Sequence, residues 1–238
     1  MKNKNNKVFC IIPAAGVGAR MQSSTPKQYL GFRQSTVLDA TLSRLLDNDL
    51  IDKLVVVIQA NDEFWPNSRY FSHDKIIVAK GGVQRADSVL NGIGTIKPLL
   101  TKGDWLLVHD AARPCVKVSD IETLINTCIR RESGAILATR INDTVKKESA
   151  DGSISTLDRA SLWRALTPQM FKADDLEKAL VKAKMSGSIV TDEASAIEQT
   201  GKQVHIVEAS ADNIKITESA DLDLANFYIN QQEKKSCE

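Results

Sequence analysis

An α/β fold, with a mostly parallel sheet flanked by helices, is predicted by two features of this 238-residue chain. Short β-branched apolar runs alternate with amphipathic stretches of helical period, the pattern of βαβ units. Polar clusters follow four of those runs, where an open parallel sheet holds its ligands. The length suits one domain with a substantial core, so residues 1–238 are read as a single domain.

The elements follow in order. "MKNKNNK" is cationic and polar, and residues 1–6 read as a flexible tail. The apolar segment after it is short for a secretion signal and enters a glycine-rich loop. "KVFCIIPAA" is the first strand. "TVLDATLSRLLDN" places Val37, Leu38, Thr41, Leu42, Leu45 and Leu46 on one helical face, and "KLVVVIQ" is the next strand. Strand "KIIVAKGG", helix "VQRADSVLNGIGTI" and strand "DWLLVHDAARP" continue the alternation. Ser119 with Glu122 makes a capping box for helix "SDIETLINTCIRR", before strand "GAILATRI". Then the pattern breaks: residues 141–160 carry short runs around Asp151-Gly152, a hairpin with too little apolar material to stand alone. This predicts a protruding β-arm. Helices "ADDLEKALVKAKMSG" and "DEASAIEQTG", strand "QVHIVEAS" and helix "SADLDLANFYINQQ" complete a Rossmann-like arrangement.

Composition excludes several partners. With 31 basic and 30 acidic residues the net charge is +1, so no global field draws the chain to nucleic acid or an anionic membrane. The longest apolar runs fall far short of the ~18 residues of a membrane span. Cys10, Cys115, Cys128 and Cys237 are widely spaced, which fits reduced thiols in a cytoplasmic protein better than a zinc site or disulfides.

The first loop poses the functional question. Gly16 and Gly18 allow backbone N–H groups to approach phosphate oxygens. Met21 stands where a dinucleotide fingerprint needs Gly or Ala, and no Gly-Lys-Ser/Thr string marks a P-loop. Arg20 and Lys27 flank a Ser/Thr/Pro stretch instead, a fork and a point charge suited to a polyphosphate. Isolated, they would read as two solvated surface cations.

"PAAGVGARM", "PKQYL", "GGVQRADSVLNGI", "VHDAARP", "LWRALTPQ", "TDEASAIE" and "DNIKIT", in that order, resemble the 2-C-methyl-D-erythritol 4-phosphate cytidylyltransferase family of isoprenoid-precursor enzymes. The resemblance covers nearly the whole chain. It implies condensation of CTP with methylerythritol phosphate: the acceptor phosphate attacks the CTP α-phosphorus in line and pyrophosphate leaves. A phosphate monoester is already a nucleophile, so the work falls to positioning and charge stabilisation. By the resemblance, Arg20, Lys27, Arg159 and Lys215 are catalytic. Pro13, Ala14, Ala15, Gly16 and Gly18 line the triphosphate, Gly81, Gly82, Arg85 and Ser88 read the cytosine, and Asp110 and Ala111 meet the nucleotide sugar and metal region. Arg113 either ties down the loop or takes a direct part. Thr144, Arg159, Thr167, Thr191 and Lys215 would bind the acceptor phosphate. The implied cofactor is Mg2+, held mainly through the CTP phosphates, with Asp110 the candidate protein ligand.

Thr144 and Arg159 lie in the arm and match family positions that reach a neighbouring subunit's site, so a homodimer with arm exchange is expected. His109 reads as scaffold rather than acid or base, and His73 and His205 lack metal-ligand partners at sensible spacing. Asp192 and Glu193 read as a helix-start pair favourable to the dipole, and Trp65, Trp105 and Trp163 as packing residues. "GFRQSTVL" departs from the family's glycine-containing hairpin, and the chain length leaves no room for a fused second enzyme. Two competing expectations are a ribitol-5-phosphate cytidylyltransferase, against which "PAAG", "HDAARP", "TDEAS" and "ADNIK" speak, and a noncatalytic nucleotide-binding module, against which the retained cations speak.

Overall fold

The computed structural model of the chain describes residues 6–16 and 25–236, so the reading of the tail as flexible falls almost wholly outside it. Strand β1 (Val8–Pro13) leads to a short hairpin of β2 (Gly31–Phe32) and β3 (Ser35–Thr36), then helix α1 (Val37–Leu46) and strands β4 (Lys53–Ile58) and β5 (Ile76–Lys80). Next come α2 (Arg85–Ile96), β6 (Trp105–Val108), α3 (Val118–Arg131) and β7 (Ala135–Arg140). β8 (Val145–Glu148) and β9 (Ile154–Leu157) form a separate hairpin. β10 (Trp163–Lys172), α4 (Ala173–Ser186), α5 (Glu193–Glu198), β11 (His205–Glu208) and α6 (Ala220–Ser236) follow.

The central sheet runs β11-β7-β10-β6-β1-β4-β5. Every neighbouring pair is parallel except the two made by β10. From β1 the chain moves outward to β4 and β5, then returns to β6 on β1's other side, which opens a crevice at the C-terminal ends of β1 and β6. Side chains of a strand alternate across its two faces, and β1 serves two cores. Val8, Cys10 and Ile12 pack with α1 and α3, whereas Phe9 and Ile11 pack with α2, α4 and α5. A third cluster, with Phe32, Ala112, Ile216 and Ile229, seats α6 against the hairpin and the loops after β6 and β11.

Three elements differ from the sequence expectations. β10 is absent from the periodicity because Leu166 to Phe171 are buried without alternation, Pro168 interrupts the run, and the register shifts between Ala165 and Gln169. α3 starts at Val118 with Lys117 as its uncapped N-cap, not at Ser119. Tertiary contacts set that start: Lys117 Nζ donates to Ser210 Oγ at 2.7 Å, and Asp120 accepts from the Ser210 N–H at 3.1 Å. The hairpin after "PKQYL" forms without glycine at its tip, with Arg33 at φ +55° in the left-handed region and paired to Glu233 at 2.5 Å.

The arm at 141–160 is a hairpin as expected, with Gly152 at φ +80° in its turn. Trp65 and Trp105 are core residues, and Trp163 lies under Arg140, whose guanidinium carbon stands 4.3 Å from the ring centroid. Cys10, Cys115 and Cys128 are buried free thiols, and burial pushes Cys115 and Cys128 up to about 12. Cys237 lies outside the described residues.

Candidate active site

A cavity of about 210 Å³ opens at the C-terminal edge of the sheet. Pro13, Ala14, Ala15 and Gly16 form one wall as β1 ends. Side-chain amides hold that loop: Gln28 Nε2 donates to the Ala14 carbonyl at 2.5 Å and the Gly16 carbonyl at 3.1 Å, and Gln59 Nε2 donates to the Ala15 carbonyl at 3.2 Å. Tying these carbonyl dipoles to donors lowers their repulsion toward an approaching anion. The opposite wall is the loop from β5 into α2. A Cβ on Gly81 would stand 2.2 Å from Ala15 Cβ, so only glycine lets the two loops approach. Ser88 Oγ accepts from the Gly82 N–H at 3.0 Å and donates to the Gln84 carbonyl at 3.2 Å, fixing the turn.

Between the walls lies a charged cluster. Asp110 is buried, and its carboxylate meets Lys215 Nζ at 2.8 Å, Arg85 Nε at 3.1 Å and Arg113 Nε at 3.5 Å. Burial alone would raise its pKa, but Arg85, then Lys215 and Arg113, hold it well below the usual carboxylate range. Arg85 is gripped on its other side by Glu193, whose oxygens accept from Nη1 at 2.6 Å and Nη2 at 3.1 Å. Burial opposes the Arg85 charge, and Glu193 and Asp110 together outweigh it, so its pKa is raised. Lys27 and Lys215 are joined by backbone: Lys27 Nζ donates to the Ile216 carbonyl at 3.0 Å, and the Ile216 N–H donates to the Ala112 carbonyl at 2.8 Å.

Beneath the cluster a hydrogen-bond chain fixes the loop after β6. His109 Nε2 lies 3.1 Å from the Arg113 carbonyl, which can only accept, so Nε2 carries the proton and Nδ1 accepts from Thr167 Oγ1 at 3.1 Å. Thr167 Oγ1 in turn accepts from the Asp110 N–H at 3.0 Å. Burial lowers the His109 pKa to about 4, its hydrogen bonds and Asp110 offsetting only part of that. The ring is a neutral strut. Arg113 Nη1 donates to the Asn213 carbonyl at 2.8 Å, and Asn213 Nδ2 donates to the Thr167 carbonyl at 2.8 Å, so Arg113 ties down the loop.

Comparison with known proteins decides the family. A family model described as 2-C-methyl-D-erythritol 4-phosphate cytidylyltransferase (IspD) matches residues 8–231. A relative of that name from Colwellia psychrerythraea is 46% identical over 95% of this chain and 96% of its own length. Another from Vibrio parahaemolyticus is also 46% identical, over 94% of this chain and 96% of its own length. The crystal structure of the Francisella tularensis protein of that name superposes with a TM-score of 0.82 at 41% identity, covering 94% of this chain and all of that one.

The chain belongs to the 2-C-methyl-D-erythritol 4-phosphate cytidylyltransferase family. It is therefore an enzyme of the nucleotidyltransferase class. Of the residues that family resemblance singled out, Pro13, Ala14, Ala15, Gly16, Lys27, Gly82, Arg85, Ser88, Asp110, Ala111 and Lys215 all line the one cavity. Gly18, Arg20 and Met21 lie outside the described residues. Thr167 sits under Asp110 rather than in the cavity wall, because β10 runs antiparallel to β6 and brings its first half to this edge. Thr191 is exposed just before α5, where its N–H donates to Ser195 Oγ at 3.2 Å. Thr144 and Arg159 are on the arm and do not line the cavity; Arg159 donates to the Asn142 carbonyl.

Asp192 and Glu193 start α5 as expected: Asp192 caps it, accepting from the Ser195 N–H at 2.9 Å, and Glu193 is the acid of its first turn. What the sequence did not show is that the Glu193 side chain is also buried on Arg85. Gln28, Val83, Gln84 and Ala112 also line the cavity and were not singled out by sequence. Gln28 follows Lys27 directly, so its amide beside the lysine after the glycine-rich loop was the available signal. For Glu193 no spacing could reveal a contact made across 108 residues.

Proposed function

We propose that this chain transfers the cytidylyl group of CTP to 2-C-methyl-D-erythritol 4-phosphate, releasing pyrophosphate and forming 4-diphosphocytidyl-2-C-methyl-D-erythritol for the isoprenoid-precursor route. The observation that carries it is the convergence of Lys27, Arg85 and Lys215 on one cavity walled by the loop after β1. The histidine beside Asp110, His109, is buried and neutral. That constellation suits a reaction needing charge stabilisation and no general base. The triphosphate lies along Ala14 to Gly16, with Arg20 and Lys27 on the α-phosphate. The cytosine enters between Gly82, Arg85 and Ser88. Lys215 holds the attacking phosphate, which is largely dianionic at neutral pH, and Asp110 fixes the Lys215 ammonium from 2.8 Å away. Thr191 faces the acceptor, and Thr167 acts through Asp110.

The donor set fits a divalent cation bound chiefly by substrate. Among the described residues Asp110 is the one carboxylate lining the cavity and stays ionised, and no cluster of three metal-ligating side chains exists. Asp110 would hold Mg2+, which when bound neutralises charge on the leaving pyrophosphate.

The arm of a second copy completes the site with Thr144 and Arg159, making the working unit a homodimer. No helix among the described residues is long and apolar enough to cross a membrane, in keeping with a cytoplasmic place of action.

Pyrophosphate release with CTP, Mg2+ and each polyol phosphate in turn tests the assignment. Turnover with methylerythritol phosphate is expected. Turnover with ribitol 5-phosphate alone would reassign the acceptor, and turnover with neither would leave a nucleotide-binding module.

A further inference from the structure

Glu193 is fully buried, outside the cavity wall, yet both its oxygens are spent on Arg85, which lines that wall. Its place is set with care. Gln169 on β10 grips the first turn of α5 from two sides, donating from Nε2 to Asp192 at 2.8 Å and accepting the Ala194 N–H at 2.9 Å. A guanidinium is a rigid plane with five N–H donors. Glu193 takes one on each Nη and Asp110 takes Nε, so the plane can neither rotate nor slide, and two donors remain for a ligand.

The charge balance says what the carboxylate adds. Arg85, Arg113 and Lys215 face Asp110 and Glu193, three cations against two carboxylates in a cleft meant for an anion. A carboxylate placed there for its charge alone would weaken nucleotide binding, because like charges repel. Its presence is accounted for by geometry. Without it Arg85 would share only Asp110, already taken by Lys215, and its plane would be free to turn.

We propose that Glu193 is a positioning residue for nucleotide binding, holding the Arg85 guanidinium in the plane that meets the nucleotide and anchoring that plane through Gln169 to the sheet. The proposal rests on the cleft being the CTP site. Lys215 keeps its own contact with Asp110, so the effect falls on CTP and not on the acceptor.

The test is Glu193→Gln, which keeps the size and loses the charge, measured for both substrates by pyrophosphate release and for CTP with Mg2+ alone by calorimetry. The expected result is a CTP KM and Kd raised about tenfold with the acceptor KM within about twofold. Glu193→Asp, charged but shorter, should fall between, at about threefold, and it decides the matter if Glu193→Gln does not fold. An unchanged or lower CTP KM, or a loss confined to thermal stability, overturns the proposal. Wild-type protein assayed alongside separates the two levels: wild type that neither binds CTP nor releases pyrophosphate fails the CTP site itself. Wild type that does both, with Glu193→Gln its equal, fails only Glu193.

Discussion

The cleft and the arm are built on opposite plans. In the cleft, buried polar groups are paired with partners far apart in sequence: Asp110 with Lys215, Glu193 with Arg85, Gln28 with the loop after β1. In the arm, contacts are local. Lys146 Nζ donates to Thr156 Oγ1 across the hairpin at 2.7 Å, Arg159 reaches Asn142, and Ile154 is left 69% exposed. A two-stranded hairpin with uncovered apolar side chains is marginal in water. The difference teaches where each part obtains its order. Charge stabilisation in the cleft is organised by one folded chain before substrate arrives, whereas the arm has nothing of its own to lie on.

The largest effect that would sharpen this contrast is Lys27→Ala. On the proposed role of Lys27 at the reacting phosphate, its removal should lower turnover about 10²- to 10³-fold, while loss of its bond to the Ile216 carbonyl costs only about 1 kcal/mol. Steady-state rates and thermal melts separate the two. A large loss of melting temperature would make Lys27 a brace of the cleft instead.

Next in size is a pH effect confined to the cleft floor. His109 has a folded pKa of about 4, below its ordinary value, so between these limits the unfolded chain takes up a proton that the folded chain refuses. Stability therefore declines as pH falls from about 6.5 toward about 4, by about 3 kcal/mol in all. Denaturant unfolding at several pH values should show a shallower decline for His109→Gln, which is neutral throughout. Parallel declines would mean that other groups take up the protons.

The smallest effect concerns the arm and would break the contrast if it failed. Mixing Lys27→Ala and Arg159→Ala proteins, each nearly inactive, should restore about a quarter of wild-type activity if each site takes Arg159 from its partner, since half the random dimers then carry one intact site. No recovery would return Arg159 to its own chain.

How much of this was legible in the sequence varies by element. Strands β1, β4, β5 and β6 showed plainly, because each is a short continuous apolar run. β10 did not, because a proline and a register shift hide a strand that only its neighbours define. In the cleft, Lys27 could be named from the glycine-rich loop before it, and Asp110 and Lys215 from the family strings that hold them; all three line the cavity. Thr167 could be named as well, but not its place beneath Asp110.

By itself, then, the sequence determined the α/β alternation, the strand-end loops and the identity of the cations that gather there, all of which depend on residues near one another along the chain. Tertiary structure alone decided that β10 runs antiparallel and brings Thr167 to Asp110, and that Glu193 turns from its helix end to hold Arg85. A buried charge must find its partner wherever the fold places one, and no periodicity records that distance.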